Sequence, residues 1–501
     1  MALFRIKRYA GEVVFLLSMN LFSSGLWAQE NTTDAVTTPK TYALSLDDVS
    51  HLVLKNNFEI QLAQYDARIT KTQKGVAESI YDTVINAEVK YKNNQLKRTS
   101  TLTGTKVIDN DYNIGLSKKI PVGTKLTANM DNNRHWANSP FVTLSPSHDS
   151  SLGLTVEQEL GRNFLGIQDR GGIKITKIDI ENSGFSSLDK IEDVLSQAQK
   201  AYWDLVLALE FVKIEEGIVR QAQKLYLLHQ EKLKDGLVEL PEALASEANY
   251  KDRLNELLVA ENSAKTKANV LKLLLNITDE ASMVLPTQQF ALPEGREEVD
   301  KSLALAFSNR RDYKSAFNEI HAKDIKLSMS RNNLWPEIDL TASFKRNGIG
   351  DHFKQAIEQI NQEDNPELFA GIVFNFPIEN TKAKSELERA QFEKAKAILT
   401  VKLLERKIMV NVMDQVRTYN VLLERAHNYQ YIAKLQEQKL SEEQKRFNYG
   451  RSSTDTIIRY QEDLLKAKWQ AAQAASDVES ALIDLWKNEG TLLHPYWEGA
   501  I

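Results

Sequence analysis

Two stretches of the chain, residues 173–235 and 382–449, keep a helical apolar spacing without a single proline. At ~1.5 Å per residue they would be rods of roughly 95 and 100 Å. No ordinary compact domain can bury a rod of that length, so these two stretches constrain the fold more than any other feature. Leu188, Ile191, Leu195, Ala198, Tyr202 and Leu205 recur at threes and fours, the spacing of helices that pack side by side. Each rod then breaks. KLKDGLVELPEALASE (232–247) places Gly236 and Pro241, and RFNYGRSSTDTIIRYQ (446–461) places Gly450, before a new amphipathic run. Glycine and proline are the two least favourable residues inside a helix, so both positions read as turns between antiparallel helices.

The chain repeats itself. Residues 45–93 align with 298–347, each an amphipathic helical segment leading into an alternating strand. Ile85, Ala87, Val89 and Tyr91 match Ile338, Leu340, Ala342 and Phe344, while Asn86, Glu88 and Lys90 match Asp339, Thr341 and Ser343. Gly236 matches Gly450 and Leu271 matches Leu485, with the long helices drifting by a few residues upstream. The first repeat covers 42–277, a linker with Pro286 and Pro293 covers 278–298, the second repeat covers 299–490, and 491–501 is a short tail. The shorter helices (46–80, 242–276, 300–333 and 455–488) are each roughly 50 Å. Two stacked end to end match one long rod, which predicts a helical wall of even height.

A fibrous coiled coil would satisfy the helices but not the strands. Residues 85–91 are two-faced, and Leu152, Leu154 and Val156 alternate with Gly153, Thr155 and Glu157. Leu368, Ala370, Ile372, Phe374 and Phe376 continue the pattern, with Phe369 and Val373 interrupting its polar side. Such strands suit a soluble sheet packed on one face or a membrane barrel with lipid outside and water inside. The long helices cannot fold back over a small sheet, and too few strands exist for one chain to close a barrel. A homo-oligomer meets both conditions.

Composition removes other classes. A net charge of −5 favours no nucleic-acid partner, and the absence of cysteine excludes disulfides and thiolate metal sites. The eight histidines lack metal-ligand spacing, and no phosphate-binding glycine loop or nucleophile motif is present, so no catalytic, cofactor or metal site is expected. Residues 1–28 read as a secretory signal peptide: Arg5, Lys7 and Arg8 precede an apolar run at 13–22, with a cleavage point after Ala28.

Taken in order, the two-fold repeat, Ala201-Tyr202-Trp203, the strand start Trp335-Pro336-Glu337-Ile338 and the two glycine breaks resemble the TolC family of outer-membrane efflux proteins. The resemblance covers about residues 42–490. It implies a mainly α fold with membrane β structure: a homotrimer with a long periplasmic α-helical barrel and a shared twelve-stranded outer-membrane β-barrel, four strands per protomer. It also implies a passive channel in outer-membrane lipid, partnered by a periplasmic adaptor and an inner-membrane RND or ABC transporter. Export of small molecules and type I protein secretion both fit. Gly236, Leu237 and Val238, with Gly450, Arg451 and Ser452, match the family's two periplasmic tips, which dock partners. Glu242, Asp455, Thr456 and Arg459 fall near its entrance-closing residues, with Thr456 and Arg459 where acids would be expected. Arg451 or Arg459 could pair with Glu242, and Asp455 could simply cap its helix. Residues 94–150 depart from the pattern. Tyr112/Ile114/Leu116 and Leu126/Ala128/Met130, joined by Pro121-Val122-Gly123, would form either an extracellular hairpin or further barrel strands.

Overall fold

The computed structural model describes residues 41–496 apart from 96, 98–101, 103, 280 and 364. The expected signal peptide and the end of the 491–501 tail lie outside the described residues. In chain order the elements are β1 (Thr41–Leu44), α1 (Leu46–Asn56), α2 (Phe58–Glu78), β2 (Thr83–Asn94), β3 (Val107–Ile120), β4 (Thr124–Ala137) and β5 (Ser147–Glu159). Then come α3 (Ile167–Lys234), α4 (Leu240–Leu275), β6 (Met283–Pro286), α5 (Val299–Asn309) and α6 (Arg311–Asn332). β7 (Glu337–Gly350), α7 (Phe353–Gln362), β8 (Pro366–Asn375), α8 (Thr381–Asn448) and α9 (Thr454–Glu489) complete the chain.

The halves match more closely than the sequence suggests. α3 and α8 are both 68 residues long, and α4 and α9 are both 36. The drift expected between the long helices is therefore absent. Their buried residues follow the predicted seam: Ile191, Leu195, Ala198, Tyr202 and Leu205 of α3 are almost fully enclosed. The end-to-end stacking also holds. Asn57, between α1 and α2, donates from Nδ2 to the carbonyl of Leu274 at the end of α4 (2.8 Å). In the second half, the Arg310 guanidinium between α5 and α6 donates to the carbonyl of Asn488 at the end of α9 (3.0 Å). Each long helix is thus flanked by two shorter ones laid end to end.

The largest core lies at mid-height, where the linker crosses the helices. β1 and β6 pair in parallel there. The Tyr202 hydroxyl donates to the carbonyl of Leu44 (3.2 Å) and accepts from the backbone N–H of Gln288 (3.2 Å). Trp203 stacks on Phe290 of the linker, ring centroids 5.3 Å apart. Arg311 of α6 reaches Glu192 (2.7 Å) and Asp189 (3.1 Å) of α3, tying the two halves together. Glu192 is 4% exposed, and burial pushes its carboxyl above the usual range although Arg311 pulls the other way.

All four expected strands are present, and the hairpin of residues 94–150 joins them in one sheet. The antiparallel order is β2-β3-β4-β5-β7-β8. The first repeat therefore carries two strands that the second lacks; there α7 bridges β7 and β8 instead.

Burial raises Glu479 of α9 to about 7 from 4.5. A folded-state value above the unfolded one means the native protein holds this proton between about pH 4.5 and 7, so stability falls as pH rises through that window. Glu479→Gln is expected to abolish this dependence. By thermal unfolding it should exceed the wild type at pH 8 by about 1–2 kcal/mol, with the two converging at pH 5. A variant less stable than wild type at pH 8 would contradict the assignment.

Candidate functional site

Both helical breaks are the same physical device. Gly236 and Gly450 have φ of +68° and +70°. In each case the glycine N–H closes on the carbonyl three residues back. The following N–H, from Leu237 or Arg451, reaches the carbonyl five residues back (2.8 and 2.9 Å). This is a Schellman stop, which satisfies the last carbonyls of the long helix and needs a left-handed residue. α4 restarts with Pro241 in its first turn, where a missing N–H costs nothing. α9 restarts from Ser453, whose hydroxyl accepts from the N–H of Thr456 (3.3 Å). Asp455 is therefore not the cap; it sits in the first turn, where a negative charge faces the helix N-terminus favourably.

Among the described residues no ion pair involves Glu242, Asp455, Arg451 or Arg459, so the pairing of Glu242 with either arginine is not formed. The Thr456 hydroxyl turns back to Ser453 (2.9 Å), and the Arg459 guanidinium lies over the Tyr460 ring, 5.7 Å from its centroid. The exposed surface of the tips is mixed: Leu237, Leu240, Leu244 and Tyr449 face outward beside Asp235, Glu239, Glu242, Arg451 and Asp455.

What joins the two hairpins near their tips is His229 of α3, 1% exposed. Its Nδ1 lies 3.2 Å from the carbonyl oxygen of Glu242 and its Nε2 3.3 Å from Oγ1 of Thr454. A carbonyl can only accept, so Nδ1 carries the hydrogen and Nε2 accepts from the threonine hydroxyl. Phe447 of α8 packs against the ring at 6.1 Å, with the Lys232 ammonium over Phe447. Further up, Arg253 of α4 pairs with Glu462 of α9 (3.1 Å). A motif search passes over His229. Its signal is spacing: it falls seven residues after Ala222, itself seven after Glu215, on a fully buried seam of α3.

At the other end the sheet is two-faced in its central rows, with Phe369 and Val373 interrupting the polar side of β8. One row runs Ile85–Leu116–Ala128–Leu154–Phe344–Leu368, and the adjacent row on the opposite face runs Asn86–Gly115–Asn129–Gly153–Lys345–Glu367. Ile85, Leu154, Leu368, Ile372 and Phe374 are exposed. Trp335 stands just before β7 at the helical end of the sheet, and Trp136 near the far end of β4. Among the described residues no helix is long and apolar enough to cross a membrane.

No family model matches the chain, and no curated protein matches it by sequence. Solved structures do match it in fold. The CmeC outer membrane channel of Campylobacter jejuni superposes with a TM-score of 0.63 at 16% identity, covering 89% of this chain and 86% of that one. The outer membrane protein VceC of Vibrio cholerae gives 0.65 at 14%, covering 89% and 96%. The MtrE outer membrane channel of Neisseria gonorrhoeae, in its open state, gives 0.64 at 15%, covering 89% of each chain. The fold is thus that of outer-membrane channels. It is the TolC-like fold that the resemblance implies.

Two outcomes test the tips. No atom lies within 4 Å of where a Cβ on Gly236 or Gly450 would stand, so a substitution there meets only the backbone penalty. Gly236→Val and Gly450→Val should each loosen a tip by about 1–2 kcal/mol, read as faster proteolytic nicking, whereas Gly→Asn should be milder. His229→Leu leaves the buried Thr454 hydroxyl without its partner and removes the second bond to the Glu242 carbonyl, about 1–3 kcal/mol. Hydrogen exchange should quicken around residues 440–460 with little change at the mid-height core; unchanged exchange there would exclude a clasp.

Proposed function

We propose that this chain is the outer-membrane duct of an export system. The observation that carries this reading is a pair of 68-residue helices that continue from a six-stranded sheet with one apolar and one polar face. The sheet suits a bilayer, with lipid on the Ile85 face and water on the Asn86 face. The helices, ~100 Å long, suit a tunnel through the periplasm. Three copies assemble, and the tips dock against a periplasmic adaptor that links the tunnel to an inner-membrane RND or ABC transporter. The duct is passive and its energy comes from that transporter. Its cargo is small molecules. The tip surface around Gly236, Leu237, Val238, Gly450, Arg451 and Ser452 serves docking. Glu242, Asp455, Thr456 and Arg459 serve closure between neighbouring copies, since among the described residues none of them forms an ion pair within one.

Fractionation is the first test, with the protein expected in the outer membrane as an oligomer; a soluble periplasmic monomer would overturn the reading. Deletion should then raise susceptibility to small toxic compounds several-fold with the secreted proteins unchanged. Loss of a secreted protein at unchanged susceptibility would assign the duct to protein secretion instead.

A further inference from the structure

Among the described residues the sheet ends at β2 on one edge and at β8 on the other. We propose that β2 of one copy pairs with β8 of the next, and that three copies close an eighteen-stranded barrel, half again as many strands as four per chain would give. This rests on the three-copy assembly above.

β3 and β4 are built into the wall and do not lie above it. Their registers run unbroken from Thr83↔Lys118 to Asn94↔Val107, from Ile120↔Thr124 to Val107↔Ala137, and from Thr124↔Gln158 to His135↔Ser147. The face alternation passes through them in phase: Ile114, Leu116, Ala128 and Met130 lie on the apolar side, and Asn113, Asn129 and Asp131 on the polar one. The hairpin is also rooted at the junction of sheet and helices. The Lys119 ammonium pairs with Asp169 in the first turn of α3 (2.7 Å) and with Glu159 (3.4 Å). Gln158 donates to the carbonyl of Val122 in the turn (3.1 Å). Gly123 and Gly166 both have positive φ, and a Cβ on Gly166 would stand 2.3 Å from the Pro121 carbonyl oxygen. The turn of this hairpin is therefore seated against the start of α3.

The edges then dictate the partner. An unpaired strand edge in hydrocarbon leaves a row of backbone groups unsatisfied, so a membrane sheet must close. Six strands are too few to close alone, since single-chain barrels begin at about eight. In a six-stranded antiparallel order the first and last strands run in opposite senses. The β8 edge of one copy therefore meets the β2 edge of the next antiparallel, with the apolar faces continuous. β2 has 12 residues and β8 has 10, so the edges match in length. The occupant is a second copy of this chain. Barrel diameter grows roughly linearly with strand number, so this mouth is about 1.5 times as wide as a twelve-stranded one. The added hairpin brings no helix, so the tunnel below it is not widened, and cargo size is set there.

The chain has no cysteine, which makes the edges directly testable. In the full-length protein Ala87→Cys of β2 is combined, one at a time, with Leu368→Cys, Ala370→Cys, Ile372→Cys or Phe374→Cys of β8. Oxidation in membranes should give a covalent ladder that ends at three chains for at least one of these same-face pairs. Ala87→Cys with Phe369→Cys or Val373→Cys, on opposite faces, should give none. End-on electron microscopy of the wild type should show a three-fold ring of eighteen strands. A trimer by native mass with no same-face cross-link, or with β3 and β4 outside the wall, overturns this inference and leaves the duct standing. A ladder ending at two chains, a twelve-stranded dimeric ring, overturns the assembly itself.

Discussion

A sheet that is apolar on one face, charged on the other and unpaired at both edges has no resting place as a single molecule. Water penalises the Leu154–Phe344–Leu368 row, and lipid penalises the open backbone of β2 and β8. Only closure of many such strands into a ring satisfies both. Everything else in the molecule is arranged around that condition. The strands run directly into helices at one end, so a ring of strands imposes a ring of helices beneath it. The mid-height belt around Tyr202, Trp203 and Arg311 then keeps the two halves of each chain at one level.

The helical half of the architecture was legible because its signals are local. A glycine needing a left-handed backbone after a helix without proline, as at Gly236 and Gly450, specifies a reversal whatever packs against it. The two-faced strands were equally clear, since alternation at 85–91 and 338–344 is read residue by residue. Whether 94–150 forms wall or appendage was not, because that depends on what Lys119 meets 50 residues further along the chain. Alternation alone says that a strand has two faces, and nothing of which strand lies beside it.

The tips show the same division. Their turns could be assigned from sequence, whereas the clasp between them could not. His229 acts through a backbone carbonyl and a threonine hydroxyl from the other half of the chain, and neither leaves a motif. The charged candidates stood out because charge is conspicuous in a sequence. Yet Thr456 is occupied in starting its own helix and Arg459 rests on its neighbour Tyr460. Within one chain the tips are held by a buried imidazole, and the conspicuous charges are left facing outward.

The seat of the β3–β4 turn against α3 has a mechanical side. α3 is rooted at the rim of the sheet by Asp169 and Gly166 and runs 68 residues without a proline to the tip. It is a rod about 100 Å long, held at that root and again at the mid-height belt, so its lower half is a lever with its fulcrum at the belt. A tilt of about 5° about the belt would carry the far end, ~48 Å beyond Tyr202, through roughly 4 Å, more than the displacement that breaks a hydrogen bond. Small angular play at the belt is thus amplified into larger travel at the tip, and a clasp as slight as one imidazole can hold that travel in check.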